Sequence, residues 1–200
     1  MSPSECGGLH AVVEQGAEVA CAIVLGARGR VGDAFTRRLQ GAGFLVLTDP
    51  ADPHVIARTV DAYLFDCAYQ DGDPAGHVER VAFHLAHWRD YAGVFIPSSC
   101  WIDGDHAYGH AKRVVEALAA FYRTLGANVV TDRIGYFPGD GVQPDPTEPM
   151  IAQLVDGDTL YARVMERLLA RTPASPLWSG STITTGLHPD DGRSGDAQRA

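Results

Sequence analysis

Cationic side chains are scarce in this 200-residue chain: 16 Lys and Arg stand against 25 Asp and Glu, for a net charge of −9. A nucleic-acid surface needs clustered Lys and Arg to neutralise phosphates, so no nucleic-acid partner is expected. Cysteine is thin as well. Cys6, Cys21, Cys67 and Cys100 lie far apart and form no CxxC pair, which argues against a disulfide framework or zinc knuckle and for a reducing, cytoplasmic setting. No basic-then-apolar leader opens the sequence and no apolar run is long enough to span a bilayer, so no membrane partner is expected. Internal repeats are absent, and the only asparagine is Asn128. What remains is a soluble chain long enough for one domain with a full core.

The first ordered signal is Ala20–Leu25, a short run apolar on both faces, as expected of a buried parallel strand. It enters the turn Gly26-Ala27-Arg28-Gly29-Arg30-Val31-Gly32 and then a helix over Asp33–Gln40. A glycine-rich turn between strand and helix lets the backbone approach a pyrophosphate, whose charge the helix N-terminus stabilises. Glycines also serve ordinary tight turns, so the pattern GxxGxxG gains meaning only from this context. A second strand, Phe44–Asp49, ends on an acid 23 residues after Gly26. That is where a Rossmann unit places the carboxylate that binds an adenosine ribose. Asp49 equally opens the Asp-Pro turn, and both readings stand at this stage. A ribose-binding Asp49 favours NAD over NADP, while Arg28 and Arg30 could each meet a phosphate and keep NADP as the alternative.

Strands over Asp61–Cys67, Gly93–Pro97 and Ala127–Ile134 alternate with helices over Pro53–Thr59, His77–Tyr91 and Ala107–Leu125, the last closed by Gly126. Alternation of this kind gives an α/β fold with a doubly wound parallel sheet. His77, His84 and His87 on one helix read as an interface or a solvated face. No converging third ligand is evident for a metal, and none is expected there. His106 and His110 are also four apart, but His110 projects away from its neighbours' functional face. Cys100 has no base placed to activate it and reads as a small packed residue.

The chemistry gathers at Ser98-Ser99 and at Tyr108-Gly109-His110-Ala111-Lys112. Tyr108 and Lys112 are four apart and share a helix face. An ammonium beside a phenol favours the phenolate, which would lower the tyrosine pKa from about 10 and make Tyr108 a general acid/base. Ser99 could hydrogen-bond the same substrate oxygen, although either serine could simply end the strand.

The set Gly26-x-x-Gly29-x-x-Gly32, Ser98-Ser99, Tyr108-x-x-x-Lys112 and Arg133-Ile134-Gly135-Tyr136-Phe137-Pro138-Gly139 resembles the extended short-chain dehydrogenase/reductase superfamily, over roughly residues 20–185. Those are NAD(P)-dependent epimerases, dehydratases and dehydrogenases. Arg133–Pro138 and the segment Met150–Leu169 look most like uronate dehydrogenases. The resemblance implies that Tyr108 is the acid/base and that Lys112 tunes it and holds the nicotinamide ribose. It also implies that Ser99, with Ser98 and Arg133, meets the substrate, and that the enzyme dimerises through the His77–Tyr91 and Ala107–Leu125 helices. Gly26, Arg28, Gly29, Arg30, Val31, Gly32 and Asp49 would hold the dinucleotide.

Three positions depart from the family pattern. Tyr108 follows Ser99 by only nine positions, which cuts back the substrate-covering loop. The family's asparagine near the start of the His77–Tyr91 helix is missing, and Glu148 stands where uronate dehydrogenases carry a carboxylate-binding arginine. The expected organisation is a leader (1–18), a Rossmann domain (19–145), a reduced C-terminal substrate-binding piece (146–185) and a disordered tail (186–200). The activity expected is NAD(P)-dependent oxidation or reduction of a small hydroxyl or carbonyl substrate, possibilities being a sugar or a polyketide-like intermediate. The alternatives are an NAD-retaining epimerase or dehydratase and a non-catalytic dinucleotide-binding or scaffolding protein.

Overall fold

The computed structural model describes residues 19–137 and 155–170. The expected leader over 1–18, most of the expected C-terminal piece over 146–185 and the tail over 186–200 lie outside the described residues. Among the described residues, no helix is long and apolar enough to cross a membrane.

Five strands form one parallel sheet: β1 (Cys21–Leu25), β2 (Leu45–Thr48), β3 (Ala62–Asp66), β4 (Gly93–Ser99) and β5 (Val129–Ile134), in the order β2-β1-β3-β4-β5. The helices between and after them are α1 (Arg30–Gly41), α2 (Pro53–Ala57), α3 (Pro74–Ala86), α4 (Ala107–Thr124) and α5 (Gly157–Leu169). β2 flanks β1 on one side and β3 flanks it on the other, so the winding reverses between them. Doubly wound sheets bind ligands in the crevice outside the strand C-termini at such a reversal.

Both faces of the sheet are covered, which is why β1 is apolar throughout. Cys21, Ile23 and Leu25 pack with Val81 and Leu85 of α3 and Val115 and Ala119 of α4. Ala22 and Val24 pack with Phe35 and Leu39 of α1 and Leu160, Val164 and Leu168 of α5. On this second face Phe35 sits 5.2 Å from Phe65 and 5.0 Å from Phe95, ring centre to ring centre. Truncation of such a buried aromatic to alanine costs about 3–5 kcal/mol. Asn128, the single asparagine, is structural: its Nδ2 donates to the carbonyls of Ala92 and Leu168 and ties β5 to α5.

Caps set where the helices begin. The Asp73 carboxylate accepts from the Gly76 amide at 2.9 Å and Pro74 takes the first turn of α3, as proline at a helix start can. The expected helix over His77–Tyr91 therefore starts earlier, and it ends at Ala86 before a separate 3-10 turn at Trp88–Asp90. At α4 the cap is His106, whose Nδ1 accepts from the Gly109 amide at 2.9 Å.

Candidate active site

The strand C-termini place the glycine turn and the Ser/Tyr/Lys set around one cavity of about 450 Å³. On its cofactor side, Gly26 has φ +69°, and a Cβ there would lie 2.6 Å from the Ala68 Cα. A Cβ on Gly32 would collide with the Gly26 carbonyl. Both positions therefore demand glycine, and the tight packing they permit lays the turn against the start of α1. Gly29, Arg30 and Val31 line the cavity, with the free amides of the α1 N-terminus behind them. Asp49 is exposed, and its Oδ1 accepts from the Gly26 amide at 2.6 Å. Arg28 is exposed and does not line the cavity.

On the other side, β4 runs on to Ser99, two residues past its expected end. A 3-10 turn, Cys100–Asp103, then carries the chain to α4, and the Ser99 hydroxyl caps it by accepting from the Trp101 amide at 3.1 Å. The Tyr108 side chain lies close enough to that hydroxyl for Ser99 to favour its phenolate. One turn further along α4, Lys112 is 4% exposed, and its Nζ lies 5.6 Å from the centre of the Tyr108 ring. The structure thus brings Ser99, Tyr108 and Lys112 together, as the sequence spacing predicts.

Their electrostatics differ from the expectation. The Tyr108 pKa is raised rather than lowered: burial of the phenol outweighs the favourable influence of Ser99. Burial likewise pulls Lys112 down to about 8, with Arg80 adding to the shift and Asp66 and Cys67 opposing it. At pH 7 such a lysine is still about nine-tenths ammonium. Cys67, half-buried in the same wall, is driven well above the ordinary thiol range by burial and by Asp66 and so stays a thiol at neutral pH.

Two predicted substrate residues are engaged elsewhere. Ser98 donates its hydroxyl to Glu116 Oε1 at 2.6 Å, and Arg133 grips both Glu116 oxygens at 2.9 Å. The three form a bracket between α4 and the paired ends of β4 and β5. Ser98 borders the cavity with its hydroxyl so occupied, and Arg133 does not line it.

Sequence reasoning missed the wall made by Asp66, Tyr69, His77 and Arg80. His77 and His84, expected on an interface or solvated face, are buried at 2% and 4% exposure. The Tyr69 ring stands edge-on to Tyr108 at 5.0 Å and to His77 at 5.2 Å. Nε of Arg80 lies 3.2 Å from an Asp66 oxygen, and burial raises the Asp66 pKa in spite of that partner. One signal was available: Lys112 is the only lysine in the chain, and a solitary lysine kept inside needs polar neighbours.

No family model matches the chain, and no curated protein matches it. Solved structures do. CapF, the capsular polysaccharide assembling protein of Staphylococcus aureus, superposes with a TM-score of 0.55 at 16% identity, over 78% of this chain and 51% of CapF. The chain thus spans about half the length of CapF. UDP-N-acetylglucosamine 4-epimerase from Bacillus cereus gives 0.55 at 11% identity, over 76% and 74%. MoeE5 in complex with UDP-glucose and NAD gives 0.55 at 16%, over 75% and 72%. At these identities the likeness is one of fold, and it matches the doubly wound α/β sheet read from the sequence.

Proposed function

We propose that this protein is an NAD(P)-dependent oxidoreductase of the short-chain dehydrogenase/reductase type that acts on a small hydroxyl or carbonyl substrate. The observation that carries the reading is the convergence of Ser99, Tyr108 and Lys112 on the same cavity as the glycine turn, with the Lys112 Nζ 5.6 Å from the Tyr108 ring centre. A dinucleotide fits the residues present: the glycines let the turn pack closely at the start of α1, and the helix amides stand behind Gly29, Arg30 and Val31 at the cavity. When bound, the nicotinamide would give or take hydride. Gly26, Gly29, Arg30, Val31 and Gly32 would hold the pyrophosphate, Asp49 the adenosine ribose, and Lys112 the nicotinamide ribose. Ser99 would fix the substrate oxygen, and the Tyr108 phenol would donate its proton to a carbonyl or, as phenolate, take one from an alcohol. A phenol whose pKa burial has raised stays protonated near neutral pH, the form that carbonyl reduction uses.

NAD is the proposed cofactor, on the carboxylate of Asp49. A substrate carboxylate is disfavoured, because Arg133 is committed to Glu116. Likeness to a 4-epimerase supplies the second reading, an isomerase that keeps its NAD. Protein purified with NAD still bound and showing no net redox turnover would favour it.

The proposed assembly is a homodimer through α3 and α4, which leave Phe83, Val114 and Phe121 at 45–55% exposure. Light scattering behind size exclusion that gives a monomer at working concentration would sink that assembly. The activity is tested by titrating NAD, NADH, NADP and NADPH by nicotinamide fluorescence and calorimetry. Micromolar binding of the NAD pair is expected, and binding of none ends the oxidoreductase reading.

A further inference from the structure

The side chain that holds Lys112 is not one the chemistry above employs. Lys112 Nζ donates to the Pro97 carbonyl at 2.9 Å and meets Nε2 of His77 at 3.2 Å. An ammonium has only donors, so this contact requires a bare Nε2. A neutral ring with Nε2 bare carries its proton on Nδ1, and the Ala68 backbone is the group that favours a proton on this ring. Arg80 Nη2 donates to the Ala68 carbonyl and lies 2.9 Å from Nδ1. Arg80 is in turn anchored on the buried Asp66 carboxylate. A continuous polar chain thus runs from the end of β3 through α3 to the only lysine in the sequence.

We infer that His77 is the positioning residue of this site: its bare Nε2 holds the Lys112 ammonium so that the remaining N–H serves the cavity. The inference rests on the role given to Lys112 in the proposed function. Three observations support it. His77 is too deeply buried for water to replace it readily. It stays neutral, and so an acceptor, because burial first, and then Lys112 and Arg80, pull its pKa down to about 3. Tyr69 closes the arrangement, with the Lys112 Nζ 5.3 Å from its ring centre. The charged and titratable groups facing Lys112 are Asp66 from β3, Cys67 and Tyr69 from the loop after it, His77 and Arg80 from α3, and Tyr108 from α4 itself.

Because the chain has one lysine, protein labelled with ¹³C,¹⁵N-lysine gives one side-chain signal, and no variant is needed for the first test. In the wild type without dinucleotide, Lys112 is expected to titrate near 8. ¹⁵N-histidine spectra at pH 7 should show His77 as the Nδ1–H tautomer. The Nε2–H tautomer at that pH, which would leave Arg80 donating to Nδ1 and a neutral amine accepting from His77, overturns the inference. His77→Leu removes the acceptor and should lower the Lys112 midpoint by about one unit, the size of a hydrogen bond to a charged group. His77→Gln, whose amide oxygen can reach the place of Nε2, should restore it. Both variants titrating as wild type, or both falling alike, overturns the inference. NADH titration separates the two proposals. His77→Leu should weaken NADH about tenfold with His77→Gln unaffected. Unaltered binding by His77→Leu overturns the positioning role, and a wild type that binds no dinucleotide overturns the proposed function while the two NMR tests still judge the Lys112–His77 hydrogen bond.

Discussion

The Asp49 carboxylate accepts the Gly26 amide proton at 2.6 Å, across 23 residues of chain. This bond ties the end of β2 to the glycine turn and fixes a negative charge beside it. Asp49 also has φ +45°, a left-handed conformation that Asn and Asp tolerate better than other side chains. Asp49→Asn therefore keeps the backbone and an acceptor for Gly26 while removing the charge. The proposed preference for NADH should shift toward NADPH by about five- to tenfold, the size of one charge repulsion near a surface. Competitive titration measures the ratio. An unchanged ratio would mean that Asp49 serves the turn alone.

Tyr108→Phe deletes the proton donor and keeps the ring that packs against Tyr69. Dinucleotide affinity should stay as in the wild type, while turnover falls about 10²- to 10⁴-fold, the usual worth of a positioned acid/base. Steady-state assays alongside NADH binding separate the two effects. With burial holding the Tyr108 pKa high, alcohol oxidation by the wild type should also quicken as pH rises, since the phenolate is the base. A flat alkaline profile would exclude proton abstraction by Tyr108 as the limiting step.

Much of this arrangement was legible because it is local. Ser99, Tyr108 and Lys112 lie within one strand-to-helix connection, and an i, i+4 spacing survives any change in packing. β1 was legible from apolar continuity, since a strand covered on both faces admits nothing else. The wall opposite Tyr108 was not, because Asp66, Tyr69, His77 and Arg80 converge only when β3 and α3 fold against α4. His77 looked like a surface histidine because α3 has polar residues on the same turns, and nothing in its spacing shows that a lysine 35 positions later will meet it. The direction of the Tyr108 shift was misread for a related reason. Spacing reveals a nearby ammonium but not the loss of water around the phenol, and here burial is the leading effect.

Gly32→Ala should unsettle the turn without touching the reacting groups. The added methyl meets the Gly26 carbonyl well inside contact distance and lies 3.0 Å from the Ala27 Cα, and backbone atoms cannot swing aside. Overpacking of this kind costs about 1–3 kcal/mol, or a Tm drop of several degrees in a chain this long. Dinucleotide binding should fall with it. Gly41→Ala, at the end of the same helix with nothing within 4 Å of the new methyl, is the control. It should leave Tm level or raise it, because alanine is the better helix former by up to about 1 kcal/mol. Equal losses in both variants would contradict the close packing at Gly32.

Acid should destabilise the fold through its two buried imidazoles. Burial leads in holding His77 down to about 3 and His84 to about 4, with Arg80 adding to each. Both pKa values are depressed below the ordinary histidine value, so between pH 6.5 and 4 the unfolded chain binds protons that the native chain refuses. Stability therefore rises with pH across this window and is lost as pH falls, by at most about 1.4 kcal/mol per pH unit for each group. Asp66 works in the opposite sense, since its raised pKa lets the native state take up a proton first. His84→Leu removes one of the two refused protons, and with it a ring whose Nε2 has no hydrogen-bond partner. Its Tm should decline less steeply than that of the wild type between pH 6.5 and 4.5 in a calorimetric series. Parallel slopes for variant and wild type would show that His84 takes up its proton without unfolding.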